Sequence, residues 1–282
     1  MMKKCLLVTI LFLGILPVAS ARNPKYEKML YIQAQEKSLF TVHYTLESRA
    51  ENPELWHQYV LDIGKQSSHF YDWNEYVDKQ INDSVCRANG QNPIEGRYDF
   101  RSLGVKGFHP NPTYLHVLKN MKEGDSLLVA DMIASFGGPS FVYYQEPIED
   151  YNWEMMEGDS IIGGYPCQKA QMTYRGHTWE VWFTPEIAVS DGPWKLCGLP
   201  GLILDAADKE GDYHFMFTGL ENDTDREILL STYHMKRTTA PNMYKMFLKA
   251  DEEALARMPT DISLRMGKAK PRIRLLEHLS EK

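Results

Sequence analysis

Cys167-Gln168-Lys169-Ala170-Gln171-Met172-Thr173-Tyr174-Arg175-Gly176-His177-Thr178-Trp179-Glu180-Val181-Trp182-Phe183 is the stretch that decides the fold. Apolar and polar side chains alternate on both sides of Arg175-Gly176, a two-residue turn in which glycine supplies the positive φ of the second central position. Such a turn sets the register of the whole hairpin. Tyr174 then faces His177, Met172 faces Trp179, Ala170 faces Val181 and Gln168 faces Phe183, giving one largely apolar and aromatic face. Thr173 with Thr178, Gln171 with Glu180, and Lys169 with Trp182 make the other. One side suits a core and the other suits water.

Period-two alternation extends outward from this hairpin. Strands are expected at Phe40 to Glu47, Gln58 to Ile63, Tyr114 to Lys119, Leu127 to Ile133, Ser140 to Glu146, Leu202 to Ala206, Tyr213 to Leu220 and Ile228 to Met235. Their short spacings and turn chemistry are those of an antiparallel meander rather than of alternating strand and helix. Two helices interrupt the series. Asp72 with Glu75 forms a capping-box start for a helix carrying Trp73, Tyr76, Val77, Ile81 and Val85 to a stop at Gly90. Pro241 opens a second, with Met243, Phe247, Ala250, Ala254 and Met258 on one stripe before Pro259. The predicted fold is mainly β, of α+β type: a large curved antiparallel meander sheet with two covering helices, in one domain over 22–282.

Between the hairpin and the next strand, Thr184 to Pro200 has no strand or helix pattern. Irregular loops of more than about 12–15 residues are usually functional or disordered, and Pro185, Pro193, Trp194 and Pro200 argue against disorder. Two readings stay open. In one, the loop presents Trp194 and Leu199 beside Trp182, Phe183 and Leu202 at the mouth of a ligand pocket. In the other, Trp194 plugs the end of the core, and Gly198 and Gly201 serve only backbone geometry.

The run Gly192-Pro193-Trp194-Lys195-Leu196-Cys197-Gly198-Leu199-Pro200-Gly201-Leu202-Ile203 resembles the signature of the GLPGLI family of exported Bacteroidetes proteins, with Gly192, Pro193, Gly198, Pro200 and Gly201 as its structural positions. Residues 60–71, 163–184 and Pro185-Glu186-Ile187 with Val189-Ser190 look like further blocks of that family in the same order. His177 departs from its usual arginine and Ala188 from its usual proline. The resemblance implies an exported location and no particular reaction.

Lys3 and Lys4, the apolar Cys5 to Val18 and the small-residue site Ala19-Ser20-Ala21 read as a signal peptide over 1–21. The mature chain is then expected to be exported, in the periplasm, at the outer membrane or outside the cell, without a spanning segment. The formal net charge of −7 has no basic stripe within it, which argues against nucleic acid as a partner. Of Cys86, Cys167 and Cys197, the pair Cys167 with Cys197 is the best candidate disulfide, the alternative being three buried thiols. Asp-Ser followed by an aliphatic residue resembles an O-glycosylation acceptor of exported Bacteroidetes proteins, at Ser126 and Ser160 and less favourably at Ser84. Gly-Asp-Ser is equally ordinary turn chemistry.

Catalytic templates fare poorly. His43, His57, His69, His109, His116, His177, His214, His234 and His278 show no HExxH or paired ligand spacing, and no serine sits in a G-x-S-x-G elbow. Asp205 with Asp208 and Glu180 with Glu186 read as solvated carboxylates. No metal or cofactor is expected. The expected role is a non-catalytic binding or carrier protein for a small apolar ligand or an envelope partner. An envelope enzyme acting on glycan or peptide, or a structural accessory of an outer-membrane assembly, are the alternatives.

Overall fold

The structure, a computed structural model, describes residues 31–48, 57–90, 113–120, 126–134, 138–149, 151–222, 224–231 and 235–257. The signal-peptide segment, His109, His234, Met258 and His278 lie outside the described residues.

The strands are β1 (Tyr31–Lys37), β2 (Phe40–Ser48), β3 (His57–Ile63), β4 (Ser67–Asp72), β5 (His116–Asn120), β6 (Ser126–Ile133), β7 (Ser140–Pro147), β8 (Glu154–Ile162), β9 (Tyr165–Tyr174), β10 (His177–Thr184), β11 (Leu202–Asp208), β12 (Tyr213–Asn222), β13 (Glu227–Ser231) and β14 (Lys236–Arg237). Helix α1 is Trp73–Ala88 and α2 is Ala240–Ala256. β2 to β7 form one meander and β8 to β12 another. The pairing of β12 with β2 joins them into a single open sheet of 12 strands ordered β14-β7-β6-β5-β4-β3-β2-β12-β11-β10-β9-β8. Neighbours are antiparallel except β14, which runs parallel to β7. The fold is therefore mainly β, as the alternation predicts.

The 167–183 hairpin pairs in the register its turn requires, from Tyr174 with His177 to Gln168 with Phe183. Ala170, Met172, Tyr174, Trp179, Val181 and Phe183 are buried on one face. That face continues through Tyr44, Tyr59, Phe70, Val117, Val129 and Phe215, and receives Met243 and Phe247 of α2. A second, smaller cluster of Leu118, Leu128, Ala130 and Tyr143 lies on the reverse face beneath Ile228 and Leu230 of β13.

β1, β4, β8 and β14 were not expected. Ser67, Ser68, His69 and Asp72 conceal β4, yet all six of its residues are buried because it lies inside the sheet with both faces covered. Around Gly158-Asp159-Ser160, where a turn was expected, the chain continues as strand β8 with a bulge: the register shifts between Met156 and Asp159, and Gly158 has φ +132°. The turn lies later, at Gly163-Gly164, both with positive φ. The expected strand at 114–119 begins at His116 instead, and that at 228–235 is described as β13 to Ser231.

Candidate functional site

The 185–201 loop fills the core face. Phe183, Trp194, Leu199 and Leu202 are at most 2% exposed, so the loop presents none of them to solvent. Trp194 packs its ring against Tyr174 and Trp179, both at 5.7 Å between centroids. Its φ of +52° is unusual for a large side chain, and the surrounding rings hold it there. Trp182 points to the other side, half-buried under Lys169 Nζ at 5.6 Å.

Two buried lysines lock this loop from opposite directions. Lys119, on β5, donates to Asp191 Oδ1 and to the Gly192 carbonyl at 2.6 Å. Lys195, on the loop, donates to Tyr144 Oη at 2.7 Å and Glu146 Oε1 at 2.6 Å on β7. Tyr151 Oη and Trp153 Nε1 donate to the carbonyls of Lys195 and Cys197, satisfying two acceptors of the irregular backbone. Gly198 has the positive φ expected of it, +94°. Gly201 does not; a Cβ there would lie 2.2 Å from the Thr184 carbonyl oxygen, so close approach of two backbones requires the glycine. At Gly192 a Cβ would meet Ile203 at 2.8 Å.

The candidate disulfide is not formed. Cys86, Cys167 and Cys197 are buried thiols; Cys167 Sγ donates to the Tyr165 carbonyl at 3.3 Å, and burial pushes its thiol pKa up. Ser126 and Ser160 are half-buried, at the start of β6 and within β8, while Ser84 is exposed on α1.

Ionisable side chains gather on the reverse face, beneath and beside α1. Asp72 ends β4 and caps α1, accepting from the Asn74 amide at 2.8 Å and, with its other oxygen, from the Thr113 amide and hydroxyl. This direct strand-to-helix turn lays α1 back across β3 and β4. Below it, Asp62 accepts from Thr41 Oγ1, from Tyr71 Oη at 2.7 Å and from Arg226 Nε at 3.0 Å. Burial, then the Asp62 charge, pushes the Tyr71 phenol far up, so it remains a donor.

His69 and His116 share a hydrogen bond of 3.1 Å between Nε2 and Nδ1. Burial, then the Lys79 charge, pushes His69 down to about 3; burial, then His69 and Lys79, lowers His116. Glu75 Oε2 stands 3.8 Å from His116 Nε2, and burial pushes the Glu75 carboxyl up to about 7. Both histidines are therefore neutral, and the contact is carboxyl to imidazole rather than an ion pair.

Beside this cluster the bulge between Phe217 and Gly219 opens β12 from β2, leaving a hollow of about 320 Å³ lined by His43, Gln58, Thr218, Gly219 and Glu221 among others. His43 Nε2 lies 3.6 Å from Glu221 Oε2, and the His43 ring meets Trp73 edge-on at 5.9 Å. Arg226 stacks over Trp73 at 5.4 Å and reaches Glu221 at 3.3 Å. The polar wall thus has an aromatic flank.

Sequence spacing could not reveal this assembly. His69 and His116 are 47 residues apart and meet only because β4 and β5 pair. The one local signal was the alternation His69-Phe70-Tyr71, which puts His69 and Tyr71 on the face opposite a core phenylalanine.

Residues 173–205, from the end of β9 through the loop to β11, match the family model described as a protein of unknown function, Porph_ging. That family is associated with Bacteroidetes and has no known function. No curated protein matches the chain. Solved structures similar to this chain include two of PNGF-II. The one in space group P21 is 13% identical with a TM-score of 0.48, covering 77% of this chain and 34% of that one. The one in space group C2 is 12% identical with a TM-score of 0.46, covering 75% of this chain and 33% of that one. This chain spans about a third of the length of those structures.

Proposed function

We propose that this chain is an exported cell-envelope protein whose work is binding, and that its ligand is small, polar and rich in hydroxyl groups. The observation that carries the reading is the hollow between β2, β3 and the bulged β12, where His43, Gln58 and Glu221 offer donors and acceptors next to Trp73. An apolar ligand fits less well than the sequence led us to expect, because Phe183, Trp194, Leu199 and Leu202, four of the five residues meant to hold it, are packed into the core. Export rests on the Lys3-Lys4 start, the apolar run and Ala19-Ser20-Ala21. Among the described residues no helix is long and apolar enough to cross a membrane.

The test is a titration of isotope-labelled mature protein with neutral and acidic oligosaccharides, followed by amide and Trp indole shifts. Saturable shifts at His43, Gln58, Gly219 and Trp73 that disappear in Glu221→Gln support the reading. Shifts confined to other regions, or none, sink it.

The edge strand β8 favours a second reading, as an accessory to an envelope assembly. Met155, Met156 and Ile161, 55%, 39% and 76% exposed, line a nine-residue strand at one end of the open sheet. Such an edge accepts an extended segment of another protein by strand addition. Crosslinking in the cell envelope through a photoreactive residue at position 161 reads this. A partner captured through that position but not through exposed Ser84 supports it, and equal capture at both counts against it.

A further inference from the structure

We propose that His177, Asp208 and Glu210 form a binding site for a divalent transition-metal cation of the zinc class at the β11–β12 turn. Nδ1 of His177 lies 3.1 Å from Oδ2 of Asp208 and 4.0 Å from Oε2 of Glu210, and the three ligand atoms lie within 4.8 Å of one another. Bonds of about 2.0–2.2 Å from zinc to imidazole and carboxylate, arranged tetrahedrally, put neighbouring ligand atoms about 3.3–3.6 Å apart. His177 and Asp208, 3.1 Å apart, already stand close to that separation. Glu210 has to close by roughly 0.5 Å on His177 and by up to about 1.5 Å on Asp208 to reach it, and its side chain, 50% exposed at the turn, has room to do so.

The two buried ligands are held in place. Asp208 accepts the Tyr213 amide on Oδ1 at 2.8 Å, which aims Oδ2 at His177. The His177 ring sits edge-on against Tyr213 at 5.5 Å and tilted against Trp179 at 6.0 Å. A hydrogen bond onto the ligating carboxylate, like that from Tyr213 to Asp208, is a feature of established metal sites.

The charge of the turn points the same way. Asp208-Lys209-Glu210-Gly211-Asp212 carries three carboxylates. Its lysine turns away, donating to Gln171 Oε1 at 2.8 Å and lying 3.8 Å from Glu180. The half-exposed Glu210 leaves an entry path from solvent. Nitrogen and oxygen donors together select a borderline divalent ion over Ca²⁺, whose sites are built of oxygen alone.

The experiment is calorimetric titration of tag-free mature protein with Zn²⁺, and with Mn²⁺ and Ca²⁺ for comparison, in wild type, Glu210→Gln and His177→Asn. Expected are one Zn²⁺ per chain, weaker or undetectable Ca²⁺ binding, and a loss of about tenfold or more in Zn²⁺ affinity in Glu210→Gln. The metal-free melting temperature of that variant should match wild type. Zinc absorption-edge spectra should show one nitrogen and at least two oxygen donors. If His177→Asn fails to fold, Glu210→Gln carries the test alone, since its side chain is half exposed. No binding to wild type, or affinity equal in wild type and Glu210→Gln, overturns the proposal.

Discussion

Lys119, on β5 inside the sheet, ends against Asp191, at the start of the signature loop, in an ion pair whose side chains are 0% and 4% exposed. A charge pair this dry is costly to halve, because the survivor is left buried and uncompensated. Lys119→Met should therefore destabilise the protein by about 3–5 kcal/mol. Adding Asp191→Leu to it should restore part of that loss. Urea unfolding of the single and double variants checks both, and a harmless single variant would remove the locking role.

Gly201→Ala should lower stability severely, since the new Cβ meets the Thr184 carbonyl oxygen at 2.2 Å and the Pro185 nitrogen at 2.9 Å, neither of which is a movable side chain. Gly219→Ala is the control. Nothing lies within 4 Å of its Cβ position and its φ is not positive, so its melting temperature should stay near wild type. Equal effects at the two sites would discredit the close-approach explanation.

Trp194→Ala should act on the fold. Removing a buried tryptophan from a packed aromatic cluster costs about 3–5 kcal/mol, and Trp194 is 1% exposed. Thermal and urea unfolding read this directly. A variant that keeps wild-type stability but loses binding would restore the ligand-presenting view of the loop.

The helix α1 cluster should leave a mark on the pH dependence of stability. Burial raises the folded-state Glu75 pKa from 4.5 to about 7, so the native carboxyl holds its proton more tightly than the unfolded one. Its contribution is fully present below 4.5 and is lost as pH rises to about 7. His69 works in the opposite sense: lowered from 6.5 to about 3, it contributes above 6.5 and is lost as pH falls to about 3. Glu75→Gln should gain stability relative to wild type as pH rises through the Glu75 window. A difference between the two proteins that does not change with pH would refute the assignment.

What the sequence determined by itself was local. The Arg175-Gly176 turn dictates the register of β9 and β10, Asp72 places the start of α1, and alternation marks most strands, because each depends on residues close together in the chain. Tertiary structure decided the rest. Whether Trp194 faced solvent or core depended on Tyr174 and Trp179 being already there to receive it, and no spacing in the loop encodes that. Lys119 and Lys195 are buried only because the loop and the strands facing it come together around them. The pairing of His69 with His116, and of His177 with Asp208, comes from strands laid side by side, where residues distant in the chain become neighbours at hydrogen-bond distance.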